Sequence, residues 1–114
     1  MDHFISQKTV ERIKTFNKDR DWLQFHSPEN LAKSISIEAG ELLECFQWDS
    51  SYDIGSVKEE LADVLIYCID MRSVLNLNAE EIINEKISLN ESKYPIRLSK
   101  GSSDKYTTFS KESK

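Results

Sequence analysis

The chain has 114 residues, with 15 basic and 20 acidic side chains and a net charge of -5. That length predicts a single domain, and the acidic balance argues against a nucleic-acid binder, whose nonspecific affinity comes largely from neutralising phosphates. No run approaches the roughly 20 apolar residues that cross a bilayer, and MDHFISQKTVERIK lacks the apolar core of a secretion signal, so a cytoplasmic protein without a membrane partner is expected.

With only 3 Gly, 2 Pro and 31% charged residues, the composition suits helices with charged outer faces. Ser6 to about Lys18 reads as a first helix, with Val10, Ile13 and Phe16 on its apolar side. DRDWLQFHSPEN breaks the pattern. Ser27, Pro28 and Glu29 then supply a cap, a proline at the first helical position and an acid in the first turn, which predicts a second helix from Pro28 to about Trp48. After the loop DSSYDIGS, Ser56 with Glu59 predicts a capping box for a third helix reaching about Leu75. Asn78 with Glu81 opens a fourth, ending near Ser92 before Tyr94-Pro95. The short connections predict an all-α, four-helix antiparallel bundle over residues 1–96. Residues 97–114, rich in Ser and Lys, read as a flexible tail by composition. Cys45 and Cys68 are expected to be buried free thiols.

Two acidic pairs interrupt this apolar pattern: Glu38 with Glu41 in SISIEAGELLECFQW, and Glu60 with Asp63 in EELADVLIYCIDM. Residues three apart share a helix face. At about 100° per residue, Glu38 falls inside the stripe of Leu31, Ile35, Leu42, Cys45 and Phe46. Glu41 lies at its edge beside Ser34. On the third helix Glu60, Asp63 and Tyr67 flank the stripe of Val57, Leu61, Val64, Leu65, Cys68 and Leu75. That helix is apolar around most of its circumference, which predicts a central element and subunit association. Glu44, Glu59, Glu80, Glu81 and Glu85 read instead as solvated surface acids.

A buried carboxylate is costly unless paired or metal-bound. A buried salt bridge competes with a metal site, but Lys33, Lys58 and Arg72 are the local cations against four acids. All-oxygen ligands suit Mg²⁺, Mn²⁺ or Ca²⁺. The histidines, His3 and His26, lie outside these helices, which disfavours zinc and the Glu-x-x-His di-iron arrangement. Mg²⁺ commonly joins carboxylates to substrate phosphates, pointing to phosphate-ester or anhydride chemistry.

Glu38-x-x-Glu41 followed by Glu60-x-x-Asp63 resembles the motif of the all-α MazG-like nucleoside triphosphate pyrophosphohydrolases. RDWLQFHSPENLAKSISIEAGELLECFQW, EELADVLIYCIDM and NESKYPIRLSKGSSDKYT extend the likeness to the single-domain dCTP-pyrophosphatase-like branch, over about residues 10 to 107. The resemblance implies cleavage between the α and β phosphates, Mg²⁺ (with Mn²⁺ as a substitute) held by Glu38, Glu41, Glu60 and Asp63, and a water activated by Glu38 or Glu41. It implies substrate contacts from Trp22, His26, Asn30, Trp48, Tyr67, Asn90, Lys93, Lys105 and Tyr106, with Lys100 also in a tail that folds over the site. Structural roles compete for several of these: aromatic plugs for Trp22 and Trp48, a turn residue for His26, a local cap for Asn30, a solvated helix end for Lys93. A homodimer or homotetramer is implied. Within the superfamily, a dUTP-directed or phosphoribosyl-ATP-directed enzyme is the near alternative. From other classes, a non-catalytic dimerisation module with intersubunit acidic salt bridges and a cation-binding regulator compete.

Overall fold

The computed structural model of the protein describes residues 4–48 and 51–101. The described residues are helical throughout their regular elements: α1 (Gln7–Asp19), a 3-10 turn (Leu23–Phe25), α2 (Pro28–Glu44), α3 (Ile54–Val74), α4 (Ala79–Lys93) and α5 (Ile96–Ser99). The all-α expectation holds, with a fifth, one-turn helix beyond the four expected. Two compact units divide between Leu77 and Asn78.

Helix starts follow the capping chemistry. Ser6 Oγ accepts from the Thr9 amide at 3.2 Å, Ser27 Oγ from the Asn30 amide at 3.1 Å and Asn78 Oδ1 from the Glu81 amide at 3.0 Å. The third helix differs from the expected Ser56–Glu59 box. Asp53 is its cap, accepting from both the Ser56 amide and the Ser56 hydroxyl, at 3.2 and 2.9 Å. An aspartate caps as well as a serine and adds a negative charge at the positive end of the helix, so Ser56 becomes a donor inside the first turn. These bonds hold the Asp53 carboxyl below its ordinary range.

Helix α2 ends at Glu44 rather than near Trp48. The amides of Cys45, Phe46 and Gln47 turn to carbonyls three residues back, at 3.0–3.3 Å, the tightening that closes a helix end. Phe46 then meets Tyr52 across the connection, ring centroids 5.0 Å apart.

Two chain reversals use left-handed residues. At the end of α1 the Asp21 amide bonds to the Lys18 carbonyl at 3.0 Å and the Trp22 amide to the Asn17 carbonyl at 2.9 Å, with Asp21 at φ 55°. This is the Schellman arrangement. Its hydrophobic partner contact is Phe16 against Trp22, edge-to-face at 5.5 Å, with the Arg20 guanidinium 3.8 Å from the Phe16 centroid. Asn76, φ 53°, repeats the device after α3, with Leu77 bonded to Arg72.

In the first unit α2 packs along α3, and α1 packs on α3. Val10 and Leu31 are the buried apolar residues of the described chain, while Leu61, Ile66 and Val74 of α3 stay exposed. Ile35 and Leu42 are half-buried and Phe46 is exposed, so most of the expected α2 stripe is incompletely covered. The thiols are free, but Cys68 is exposed and Cys45 half-buried, a correction to their expected burial. In the second unit, residues 97–99, read as tail from composition, belong to α5. Pro95 sets its N-cap, and the Leu98 and Ser99 amides bond to the Pro95 carbonyl at 3.0 and 2.9 Å.

Candidate metal centre and nucleotide pocket

Helices α2 and α3 are paired in antiparallel register. Ser34 lies against Tyr67, Glu38 lies close enough to Asp63 for their charges to interact, and Glu41 lies against Glu60. As the numbering rises along α2 it falls along α3, one helical turn at a time. The i, i+3 spacing within each helix therefore becomes a four-acid patch across the pair.

Glu38, Glu60 and Asp63 each place a carboxylate oxygen within 4.8 Å of the others. Glu41 joins them, raising the carboxyls of both Glu38 and Glu60. Four acids this close crowd negative charge without compensation. Desolvation, then Glu41, Asp63 and Glu60, push the Glu38 carboxyl up to about 6. Desolvation and Glu41 raise Glu60 as well. Glu38 Oε2 and Glu60 Oε2 are buried without a hydrogen-bond partner in the described structure. Orphaned anionic oxygens facing further anionic oxygens fit a hard divalent cation. The ion pair seen among the described residues, Lys14 with Glu11, lies on the surface of α1.

Beside the acids, Trp22, Phe25, His26, Asn30, Lys33, Ser34 and Tyr67 line a hollow of about 450 Å³. Tyr67 couples the two regions: burial raises its phenol, and the charges of Glu38 and Asp63 raise it further, while the Ser34 hydroxyl against it opposes them. The volume lies in the usual range for small-molecule pockets. Its walls combine aromatic faces with amide, imidazole, hydroxyl and ammonium groups, which suits a flat polar heterocycle joined to an anionic group.

Of the residues expected to contact substrate, Trp22, His26, Asn30 and Tyr67 come together at this hollow. Asn30 also makes the local bond weighed against that role, donating through Nδ2 to the Phe25 carbonyl at 3.0 Å. Trp48 is not among the lining residues and is 86% exposed. Asn90 and Lys93 lie on α4 in the second unit, where the Asn90 carbonyl accepts from the Tyr94 amide at 2.8 Å. Lys100 caps α5 and is exposed. Lys105 and Tyr106 lie outside the described residues. Sequence reasoning missed Phe25, Lys33 and Ser34 as wall residues. Ser34 carried a usable signal, being four residues before Glu38 on one helix face.

The four acids of this centre fall within residues 33–109, which match the MazG-like family. The chain belongs to the MazG-like family. Among MazG-like relatives, dCTP pyrophosphatase 1 of Mus musculus is 36% identical over 91% of this chain and 69% of its own length. The Homo sapiens dCTP pyrophosphatase 1 is 35% identical over the same shares. The crystal structure of a pyrophosphatase from Archaeoglobus fulgidus superposes with a TM-score of 0.73 at 40% identity, covering 83% of this chain and 98% of that one. The enzyme class implied by the family resemblance thus agrees with the names these relatives carry. No helix among the described residues is long and apolar enough to cross a membrane.

Proposed function

We propose that this MazG-like chain hydrolyses (deoxy)nucleoside triphosphates to monophosphate and pyrophosphate with Mg²⁺, preferring dCTP, and so removes unwanted nucleotides. The observation that carries this reading is the antiparallel register that sets Glu38, Glu41, Glu60 and Asp63 against one another next to an aromatic and polar hollow. The base preference draws its support from relatives named dCTP pyrophosphatase.

Glu38, Glu60 and Asp63 would hold the cation, with Glu41 completing the set. Bound there, a divalent ion neutralises charge on phosphate oxygens and acidifies water. The chain's own residues do the rest. Trp22 and Phe25 offer faces for the base, His26 and Asn30 offer polar atoms at its edge, and Tyr67 sits between hollow and carboxylates for the sugar. Lys33 supplies positive charge on the same wall. Glu41 is the more exposed member of the α2 pair. It is therefore the carboxylate with room to orient or deprotonate a water.

In this reading residues 1–96 are the catalytic domain. The exposed apolar side chains of α3, together with Ile82, Ile83 and Ile87 of α4, support a homodimer or homotetramer.

The test is a screen of nucleoside triphosphates with Mg²⁺, identifying products, beside the Glu38→Ala variant. Monophosphate and pyrophosphate from dCTP, lost in a folded Glu38→Ala protein, are expected. No turnover of any nucleotide by folded, Mg²⁺-loaded protein would reject the reading.

A further inference from the structure

The buried polar residues of the described chain are Asn17, 5% exposed, and Asp70, 6% exposed. They bind each other: Asn17 Nδ2 donates to Asp70 Oδ1 at 3.0 Å. The pair lies outside the four-carboxylate centre and joins α1 to α3, two helices fifty-three positions apart at this contact. An apolar pair of similar volume would serve cohesion as well, since burying polar groups offers little net stability. A hydrogen bond adds direction, fixing how one helix is rotated and shifted on the other.

Asn17 holds a second, independent bond at the place where direction matters. Its carbonyl accepts from the Trp22 amide at 2.9 Å, the bond that spans more residues of the two that reverse the chain after α1. Trp22, Phe25 and His26 follow at once and form one wall of the hollow, while Tyr67, three residues before Asp70 on α3, stands in another. Phe25 and His26 are fixed in turn from Trp22 and Leu23, whose carbonyls accept their amides at 2.9 and 3.1 Å. A continuous chain of hydrogen bonds thus runs from Asp70 through Asn17 to Trp22 and on to Phe25, with His26 held beside it by Leu23. The charge of Asp70 bears on both His26 and Tyr67, so the carboxyl lies near the pocket it supports without lining it.

The geometry points to Asn17 and Asp70 as a positioning pair that sets the aromatic wall of the nucleotide pocket against α3, and thereby governs how tightly the base is held. This rests on the reading of the hollow as that pocket. Neither residue touches the reacting phosphates, so the pair acts on substrate affinity more than on turnover.

The experiment compares wild type, Asn17→Ala, Asp70→Ala, the double variant and Asp70→Asn in the full chain. For dCTP with Mg²⁺, each alanine variant raises KM about tenfold, the effect of losing one buried hydrogen bond, with kcat nearly kept. The double variant is no worse than either single one. Asp70→Asn, whose amide oxygen still accepts from Asn17, returns KM toward the wild-type value. Amide exchange is followed in parallel without substrate. In Asp70→Ala the segment 20–26 loses protection while the α2–α3 pair retains it. Unchanged KM in the alanine variants, failure of Asp70→Asn to rescue, or exchange that accelerates uniformly over the chain would each overturn the proposal. If the wild-type chain turns over no nucleotide, the functional reading falls, and the exchange pattern alone decides whether the pair sets the wall.

Discussion

Glu41 and Glu60 face each other from α2 and α3, and Glu41 helps push the Glu60 carboxyl upward although both are acids. Such crowding is the mark of a site built to receive positive charge from outside the chain. Divalent cation should therefore stabilise the fold, by roughly 2.7 kcal/mol at one hundred times Kd, seen as a rise of several degrees in Tm with Mg²⁺ over chelator. Glu38→Gln or Asp63→Asn should abolish that rise and lower kcat/KM at least about a hundredfold. A Tm indifferent to Mg²⁺ in the wild-type protein would contradict the metal centre.

The acidic shift of the same site gives an opposite pH signature to metal-free and metal-bound protein. The Glu38 carboxyl, pushed up to about 6, binds its proton more tightly folded than unfolded. Its contribution to stability is therefore present at low pH and lost as pH rises through about 6. The Asp70 carboxyl, raised mainly by burial, acts in the same direction. Chelated protein should melt higher at pH 5 than at pH 7. The Mg²⁺-induced rise in Tm should shrink over the same interval, since the cation must displace the proton. Scanning calorimetry at the two pH values, with and without Mg²⁺, checks both; a chelated protein whose Tm falls toward pH 5 would refute the assignment.

Much of this centre was legible in the sequence because helical spacing is rigid. Glu38 with Glu41, and Glu60 with Asp63, could share a face only in one way, and Ser27 and Asn78 cap where they were expected to. What periodicity does not encode is competition between neighbours. Asp53 displaces Ser56 as the cap of α3 because both chemistries fit within one turn. Helix α2 stops at Glu44 because its last amides turn to nearer carbonyls and Phe46 finds Tyr52. The partner of Asp70, Asn17, comes from another helix and leaves no local signal. Composition also hid the turn at Ile96–Ser99, whose helix depends on Pro95 rather than on any apolar period.

The hollow predicts how substrate affinity divides among its walls. Trp22→Ala removes an aromatic face and should raise KM for dCTP about tenfold or more, in line with the loss of one stacked base contact. Tyr67→Phe removes the hydroxyl that lies against Ser34 and should cost about 1 kcal/mol of binding. Trp48→Ala, at a side chain 86% exposed and away from the lining, should leave KM within about twofold of wild type. Steady-state kinetics on the three variants tests this order, and a Trp48→Ala protein weaker in KM than Trp22→Ala would reverse the placement of the base.

Asp21 carries the reversal from which the aromatic wall departs. Its φ of 55° is in the left-handed region, and its carboxylate accepts from Gln24 Nε2 at 3.0 Å, as its carbonyl does at 2.9 Å. Glycine adopts this conformation freely, whereas a β-branched side chain is strained there. Asp21→Gly should thus keep the fold close to wild-type stability, trading the Gln24 bond against relief of backbone strain. Asp21→Val should lose about 1–2 kcal/mol, the cost of left-handed backbone at a residue with a crowded Cβ. Because the Trp22 amide is held by the next bond of the same reversal, Asp21→Val should also raise KM for dCTP more than Asp21→Gly does. Urea unfolding supplies the stability difference, and kinetics on the folded variants supplies the second comparison. Equal stability and equal KM for the two variants would show that the turn does not set the wall.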